Sequence, residues 1–295
     1  MPELPEVETI VRDLRKKIIG RKIISVWFDT PKLIKKPKIA VFEKEIKGLK
    51  IEDVRRRAKN ILIYLNPEKI LLVHQKMTGH LLYGKWAIKK IGNHKSKTQS
   101  LIAGAMQEKV NDYIHLIFYL DNGWQLALSD LRKFAKVVLG SKEEIENLDE
   151  LKSLGPEPLE KGFDFQTFKE AIQKKNGKIK QVLMDQNVIA GIGNIYSDEI
   201  LWMAGVHPFK PTNRLRPQEL KKIFQAMKKI LKEALNLRGI SISDFRDPEG
   251  RKGYYAEHRR VYQREGQKCP RCGGIIKRIK LAGRSAHFCP KCQKL

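Results

Sequence analysis

Cysteine is missing from the first 268 residues of this chain; its four cysteines all fall within the last 27. That distribution excludes a disulfide framework and fits a reducing, cytoplasmic setting. Long apolar runs are missing too. No stretch approaches the ~18–20 apolar residues of a membrane span, and no apolar segment follows the acidic N-terminus as a secretory signal requires. Acidic side chains are scarce, with 33 Asp and Glu against 59 Lys and Arg and a formal charge of +26. A field of that sign attracts polyanions, and nucleic acid is the expected partner because the basic residues recur in every region. No internal repeat is visible, and nothing in the sequence signals an oligomer, so a monomer is expected. What remains is ordinary: 295 residues with 41% hydrophobic content, enough for two or three domains with real cores.

Hydrophobic periodicity predicts an amphipathic helix over residues 3–18, with Leu4, Val7, Val11, Leu14 and Ile18 on one face and Gly20 ending it. Strands are expected at Lys22–Phe28, Ile51–Arg56, Ile61–Leu65, Ile70–His74, Ile114–Leu120, Trp124–Ser129 and Lys136–Leu139. Asp121-Asn122-Gly123 is a hairpin signal between two of them. Many short strands with turn signals suggest a two-layer β-sandwich. The polar, Lys-rich stretch Lys85–Asp112 reads as a long loop or an insertion at a hairpin. Gly155-Pro156-Glu157-Pro158 marks a linker, after which helices are expected at Phe165–Lys174, Ile179–Met184, Asn194–Met203 and Pro217–Leu237. The expected domains are residues 1–140, a linker at 141–162, a helical domain at 163–255 and a metal-binding module at 256–295.

Residues 251–295 carry 13 Lys and Arg against two Glu. Within them, Cys269-Pro270-Arg271-Cys272 and Cys289-Pro290-Lys291-Cys292 are separated by 16 residues. Four thiolates at that spacing suit one tetrahedral Zn²⁺, with each pair on a tight knuckle. All four positions would be filled by protein, so the ion is structural and supplies the folding energy of a module too small for a core of its own.

The N-terminal string Pro2-Glu3-Leu4-Pro5-Glu6-Val7-Glu8 has two readings. It starts a helix, with acidic residues at the positive end. It also carries chemistry: removal of Met1 leaves Pro2 with a secondary amine of pKa near ~8. The neutral amine attacks electrophilic carbon and forms a Schiff base, and Glu3 and Glu6 stand beside it as acid–base groups.

Together, the N-terminal string, the strand-rich first half, Gly191-Ile192-Gly193-Asn194-Ile195-Tyr196 and the basic cysteine module resemble bacterial formamidopyrimidine-DNA glycosylase over almost the whole chain. The resemblance implies an α+β multidomain fold: an N-terminal β-sandwich with its amphipathic helix, a helix-two-turn-helix domain and a C-terminal zinc ribbon. It implies an enzyme of base excision repair that excises oxidised purines (8-oxoguanine, formamidopyrimidines) from damaged duplex DNA and then cleaves the strand by β,δ-elimination. Pro2 would be the Schiff-base nucleophile, Glu3 the proton donor and Glu6 a supporting group. Lys59 and Arg284 would contact the phosphates beside the lesion and serve as proton donors. His74, Asn194 and Arg278 would contact phosphate. Met77, Arg132 and Phe134 would fill the gap that a flipped nucleotide leaves in the stack; taken singly, Met77 and Phe134 read as core residues. The family usually has Gly after this Phe, and Ala135 stands here. The resemblance also points to a loop within Gly239–Tyr262, containing Ser241-Ile242-Ser243-Asp244-Phe245-Arg246, as a lid over the flipped base. Arg238 stands where many relatives have a first Gly. Two rivals remain at this level: an endonuclease VIII-type glycosylase for oxidised pyrimidines, and a non-catalytic zinc-ribbon protein that binds nucleic acid.

Overall fold

The computed structural model of the protein describes residues 1–91, 95–242 and 245–295. They divide into two units, residues 1–152 with 238–254, and residues 153–237 with 255–295.

The first unit opens on helix α1, Leu4–Ile18. The expected face is buried, with Ile10 added to it. Thirteen further elements of this unit follow in order: β1 Ile23–Phe28, β2 Ile34–Lys36, α2 Ile39–Ile46, β3 Lys50–Arg57, β4 Asn60–Asn66, β5 Lys69–His74, β6 Gly79–Gly84, β7 Trp86–Ile91, β8 Lys95–Ser100, β9 Ile114–Leu120, β10 Gln125–Asp130, β11 Lys136–Ser141 and α3 Lys142–Glu146. A last short helix, α4, spans Asp149–Lys152. Two sheets form the sandwich, in the orders β1-β9-β10-β6 and β2-β11-β5-β4-β3. Leu116, Phe118 and Leu120 of β9 and Ile61, Ile63 and Leu65 of β4 share one buried core with the apolar face of α1. Each set alternates along its strand, as the period of two demands.

β9 buries its other face as well. Ile117 joins Leu82, Ala127, Trp86 and Met106 in a second apolar cluster. Trp86 and Met106 come from the Lys85–Asp112 stretch, which is therefore more than a loop. It forms the antiparallel hairpin β7–β8, followed by 3-10 turns at Gly104–Gln107 and Lys109–Tyr113. Its few large apolar residues cover a sheet face that would otherwise meet water. The Gly-Asn at the middle of that stretch, Gly92-Asn93, lies outside the described residues.

The second unit contains α5 Phe165–Gln173, α6 Ile179–Met184, α7 Asn194–Ala204 and α8 Pro217–Asn236, then the hairpin β12 Lys277–Leu281 and β13 Arg284–Phe288. Of the helical-period apolar residues Leu220, Phe224, Met227, Leu231 and Leu235 expected on the inner face of α8, Leu220, Met227 and Leu231 are buried. Phe224 and Leu235 are only partly so, and Ile223, Ala226, Ile230 and Ala234 complete the face.

Two parts of the chain group differently from the expected boundaries. Residues 142–152 fold as α3 and α4 within the first unit, α3 starting at Ser141, whose side chain accepts from Glu144 N–H. Residues 238–254, expected within the helical domain at 163–255, fold with the first unit.

Candidate active site and nucleic-acid interface

The N-terminal string starts α1 and is buried. Pro2 is covered, and Glu3 and Glu6 are 3% and 1% exposed. Glu3 is the N-cap residue. Its N–H donates to Glu6 Oε2 at 2.8 Å, and Glu6 Oε1 accepts from Ile240 N–H at 2.8 Å. One carboxylate thus holds both the start of α1 and the start of the 238–254 segment. A buried carboxylate satisfied by two backbone donors is a fixed group.

Lys59 is positioned by the tightest turn in the sheet. Arg57 pairs with Asn60, which leaves Ala58 and Lys59 as the loop between β3 and β4, with Ala58 at φ 51°. Lys59 is only 6% exposed. Arg56 ties this turn to α1, because its Nε donates to Glu8 Oε2 at 2.9 Å and its Nη1 to Ala58 O at 3.1 Å. Burial works against ionisation of Glu8, but the Arg56 and Arg12 guanidiniums hold its carboxyl below the usual range.

His74 ends β5 opposite Asn60, the neighbour of Lys59. Burial, then the charges of Lys76 and Lys59, pull its pKa down to about 3. Its Nδ1 accepts the Lys76 N–H at 2.9 Å. The neutral ring therefore carries its proton on Nε2, where it serves as a donor.

Met77 and Phe134 are surface residues, 42% and 51% exposed, and Leu131 beside them is 54% exposed. Met77 and Phe134, which taken singly read as core residues, are instead half-exposed on loops beyond the strand ends. The Arg132 guanidinium lies over the Phe134 ring, 4.6 Å from its centroid. Asp130, fully buried, organises the cluster. Its carboxylate accepts from the backbone N–H of Phe134 and Ala135, each at 2.7 Å, from Arg132 N–H at 3.2 Å, and from the Thr78 hydroxyl. Thr78 follows Met77, so one carboxylate joins the two loops. The left-handed residue of this loop is Lys133, at φ 55°, and Ala135 is buried without needing that conformation. Gly79 closes the Met77 turn; a Cβ there would lie 2.4 Å from Gln75 O.

In the second unit, Asn194 opens α7 after the glycine turn. Gln186 stitches that turn: its Oε1 accepts from Gly191 N–H at 2.9 Å and its Nε2 donates to Ile192 O at 2.7 Å. A helix start behind such a turn is a ready anion site. Asn194 and Arg278 line one cleft with Tyr262, Gln263, Ser285 and His287. Arg278 also meets Ser285 Oγ at 2.9 Å and Glu265 at 3.3 Å. Arg284 follows the β12–β13 turn, whose two residues Ala282 and Gly283 are both left-handed, at φ 45° and 74°. It is exposed at the hairpin tip.

The four cysteine sulfurs lie within 4.8 Å of one another, with Cys269–Cys292 at 3.9 Å and Cys272–Cys289 at 3.5 Å. Zn–S bonds of about 2.3 Å in a tetrahedron require sulfurs about 3.8 Å apart. The set therefore fits one structural Zn²⁺. The Trp202 indole N–H points at Cys269 Sγ at 3.3 Å, the kind of outer contact that orients a thiolate ligand. The hairpin is fixed to α6 and α7 by a buried charge cluster. Lys180 meets Asp198 at 2.6 Å, and Asp198 Oδ2 accepts the His287 backbone N–H at 3.0 Å and lies 2.9 Å from its Nδ1.

Comparison with known proteins decides the family. The chain is 39% identical over its full length, and over all of the relative, to formamidopyrimidine-DNA glycosylase of Pelotomaculum thermopropionicum. It is 37% identical to that of Streptococcus pneumoniae over 100% of this chain and 99% of the relative. The chain belongs to the formamidopyrimidine-DNA glycosylase family. Family models match in three places: the N-terminal domain of formamidopyrimidine-DNA glycosylase at residues 1–137, its H2TH domain at 154–246, and a zinc finger found in FPG and IleRS at 266–295. Among solved structures, the complex of Lactococcus lactis FPG with Fapy-dG containing DNA matches with a TM-score of 0.84 at 35% identity, over 99% of this chain and 100% of that one. MutM in complex with carbocyclic 8-oxo-G containing DNA also matches with a TM-score of 0.84 at 35% identity, over all of both chains. The sandwich, the helix-two-turn-helix domain and the zinc ribbon are therefore the family's own architecture in this glycosylase/lyase.

Several residues that build the site carried no assignment at the level of sequence. Asp130 was adjacent to the Leu131–Phe134 cluster, and an Asp at the start of a loop rich in unpaired N–H groups is a readable signal. Lys180 and Asp198 offered none, since they meet Ser285 and His287 across the fold; Gln186 acts locally on the glycine turn, but its residue type alone does not mark that role. Of the residues expected to form a lid, Ser243 and Asp244 lie outside the described residues.

Proposed function

We propose that this glycosylase acts on 8-oxoguanine and formamidopyrimidine lesions in duplex DNA through the amine of Pro2. With Met1 removed, the neutral Pro2 N attacks the sugar C1′; the bond to the base breaks with its electron pair going to the base, which takes up the proton that the amine releases. Glu3 gives its proton to the ring oxygen, which opens the sugar and leaves an iminium between Pro2 and C1′. The positive nitrogen acidifies the C2′ proton; its loss expels the 3′ phosphate. Loss of the C4′ proton then expels the 5′ phosphate, leaving a one-nucleotide gap, and water hydrolyses the iminium to release the sugar remnant as an aldehyde and restore the Pro2 amine. Glu6 holds Glu3 in place. Lys59, the Nε2–H of His74, Asn194, Arg278 and Arg284 bind phosphates, the term that dominates affinity for a duplex. Met77, Arg132 and Phe134 occupy the gap left by the flipped nucleotide and face its orphaned partner. The Zn²⁺ holds the ribbon and takes no part in the chemistry. The protein works as a monomer in the cytoplasm.

The observation that carries this reading is the pairing of a buried Pro2-Glu3-Glu6 helix start with an exposed Met77–Phe134 pair. Met77 and Phe134 stand exposed on two loops that the buried Asp130 carboxylate joins from beneath, through the Thr78 hydroxyl and the Phe134 N–H. The lesion class follows the relatives, whose structures hold Fapy-dG, 8-oxo-G and abasic-site DNA.

The decisive experiment is borohydride reduction with an abasic duplex, using protein verified to begin at Pro2. A covalent adduct is expected; a chain that retains Met1 should bind the duplex without forming one, because its Pro2 nitrogen is an amide. Absence of an adduct from the Pro2 form would leave only DNA binding. Excision from duplexes holding 8-oxoguanine opposite C should exceed excision of thymine glycol, and the reverse preference would reject the purine assignment.

A further inference from the structure

We propose that Arg238 is a positioning residue for the N-terminal nucleophile, acting through Gly239, Ile240 and Glu6. The inference rests on the reading of Pro2 and Glu3 given above and deepens it.

Arg238 has φ 61°, a conformation that L side chains adopt at a cost, and Gly239 follows at φ 78°. A strained non-glycine residue persists only where its surroundings hold it. Here its guanidinium sits between two carboxylates, Asp13 of α1 and Asp247. Asp13 is 8% and Asp247 1% exposed. Asp247 is itself fixed, since its Oδ1 accepts the Glu249 and Arg251 N–H groups, each at 2.9 Å. The double ion pair therefore anchors residue 238 to the middle of α1, and 225 residues of chain separate the partners.

Everything downstream of that anchor is tightly fitted. A Cβ at Gly239 would lie 2.7 Å from Glu6 Oε1, so glycine is required for the segment to lie against that carboxylate. A Cβ at Gly253 would lie 2.3 Å from Gly239 O, which closes the other side. The next residue, Ile240, donates its N–H to Glu6 Oε1, and Glu6 Oε2 takes the Glu3 N–H, each at 2.8 Å. Glu3 N is the peptide nitrogen that follows Pro2. The chain of contacts runs from a clamp on α1, through two backbone residues and one carboxylate, to the peptide that aims the nucleophile. Pre-organisation of this kind acts on the rate, because a small displacement of a reacting atom is costly.

The test is a double-mutant cycle on single-turnover borohydride trapping with abasic duplex, using chains that begin at Pro2. Arg238→Gly removes the clamp while glycine accepts the left-handed backbone without strain. It should slow trapping by about tenfold and leave the duplex Kd within about twofold, since only an interaction realised in the reaction is lost. In a Glu6→Gln background the same substitution should slow trapping by less than about twofold, because residues acting through one another are not additive. Arg238→Lys, which keeps the charge but not the fork, should recover part of the rate. Should Arg238→Gly fold poorly, Asp13→Asn opens one arm of the clamp and is expected to show the same dependence on Glu6. Losses that add in the double variant, or DNA affinity falling in step with the rate, overturn the proposal. No adduct from the parent chain overturns the Pro2 reading and this proposal with it; an adduct with additive losses overturns this proposal alone.

Discussion

Asp130 Oδ2 accepts the backbone N–H of Phe134 at 2.7 Å, so a fully buried carboxylate aims a half-exposed aromatic ring. The same carboxylate takes Ala135 N–H, Arg132 N–H and the Thr78 hydroxyl. The backbone that carries the exposed Phe134 ring is therefore held by the buried carboxylate beneath it.

Asp130→Ala should be among the most destabilising single changes in the first unit. It leaves several buried donors unpaired at once, at about 1–3 kcal/mol each before relaxation. Urea unfolding should register a loss of about 3 kcal/mol or more, and Thr78→Val about 1 kcal/mol. An Asp130→Ala protein as stable as the parent would contradict the role given to this carboxylate.

Met77→Ala and Phe134→Ala should behave in the opposite way. Both side chains are substantially exposed, so each change should alter stability by no more than about 0.5 kcal/mol. Excision of 8-oxoguanine should slow by about tenfold, equal to about 1.4 kcal/mol in the barrier. Cleavage at a pre-formed abasic site should suffer less, because no base has to be replaced in the stack. Equal losses on both substrates would count against the gap-filling role.

His74 makes stability depend on pH. Its folded pKa lies near 3, below the ordinary 6.5. The unfolded chain therefore binds more protons between those values, and stability falls as pH drops through that window. Between pH 7 and pH 5 the loss from this group is about 2 kcal/mol. Urea midpoints at the two pH values should show that the difference shrinks in His74→Gln. An undiminished difference would place the pH dependence elsewhere.

Removal of zinc should unfold the ribbon while the sandwich stays folded. One ion per chain is expected by elemental analysis. Chelation should change the fluorescence of Trp202, whose indole N–H meets Cys269 Sγ, and should weaken duplex binding through Arg284. Cys289→Ser should reproduce both effects without a chelator. Unchanged duplex affinity after verified loss of the metal would remove the ribbon from the interface.

Much was legible in the sequence because it depends on neighbours along the chain. The apolar face of α1, the strand Ile114–Leu120, the hairpin turn at Asp121-Asn122-Gly123 and the two cysteine knuckles are all set by local period, turn chemistry or ligand spacing. Assignment of Pro2, Glu3, Lys59 and Arg284 as site residues needed the resemblance, since a proline at a helix start or a lysine before a strand is by itself unremarked. Tertiary structure decided the rest. Periodicity marks Met77 and Phe134 as apolar without telling which surface stays uncovered. Trp86 and Met106 look like isolated apolar residues in a polar stretch until β9 is found to need cover on its second face. Arg238 meets Asp13 across 225 residues, and Ile240 meets Glu6 across 234. Contacts at such separations exist only once the sandwich has brought the start of α1 and the 238–254 segment together. For that reason the sequence determined which residues open α1, and the folded chain determined which distant segment they meet.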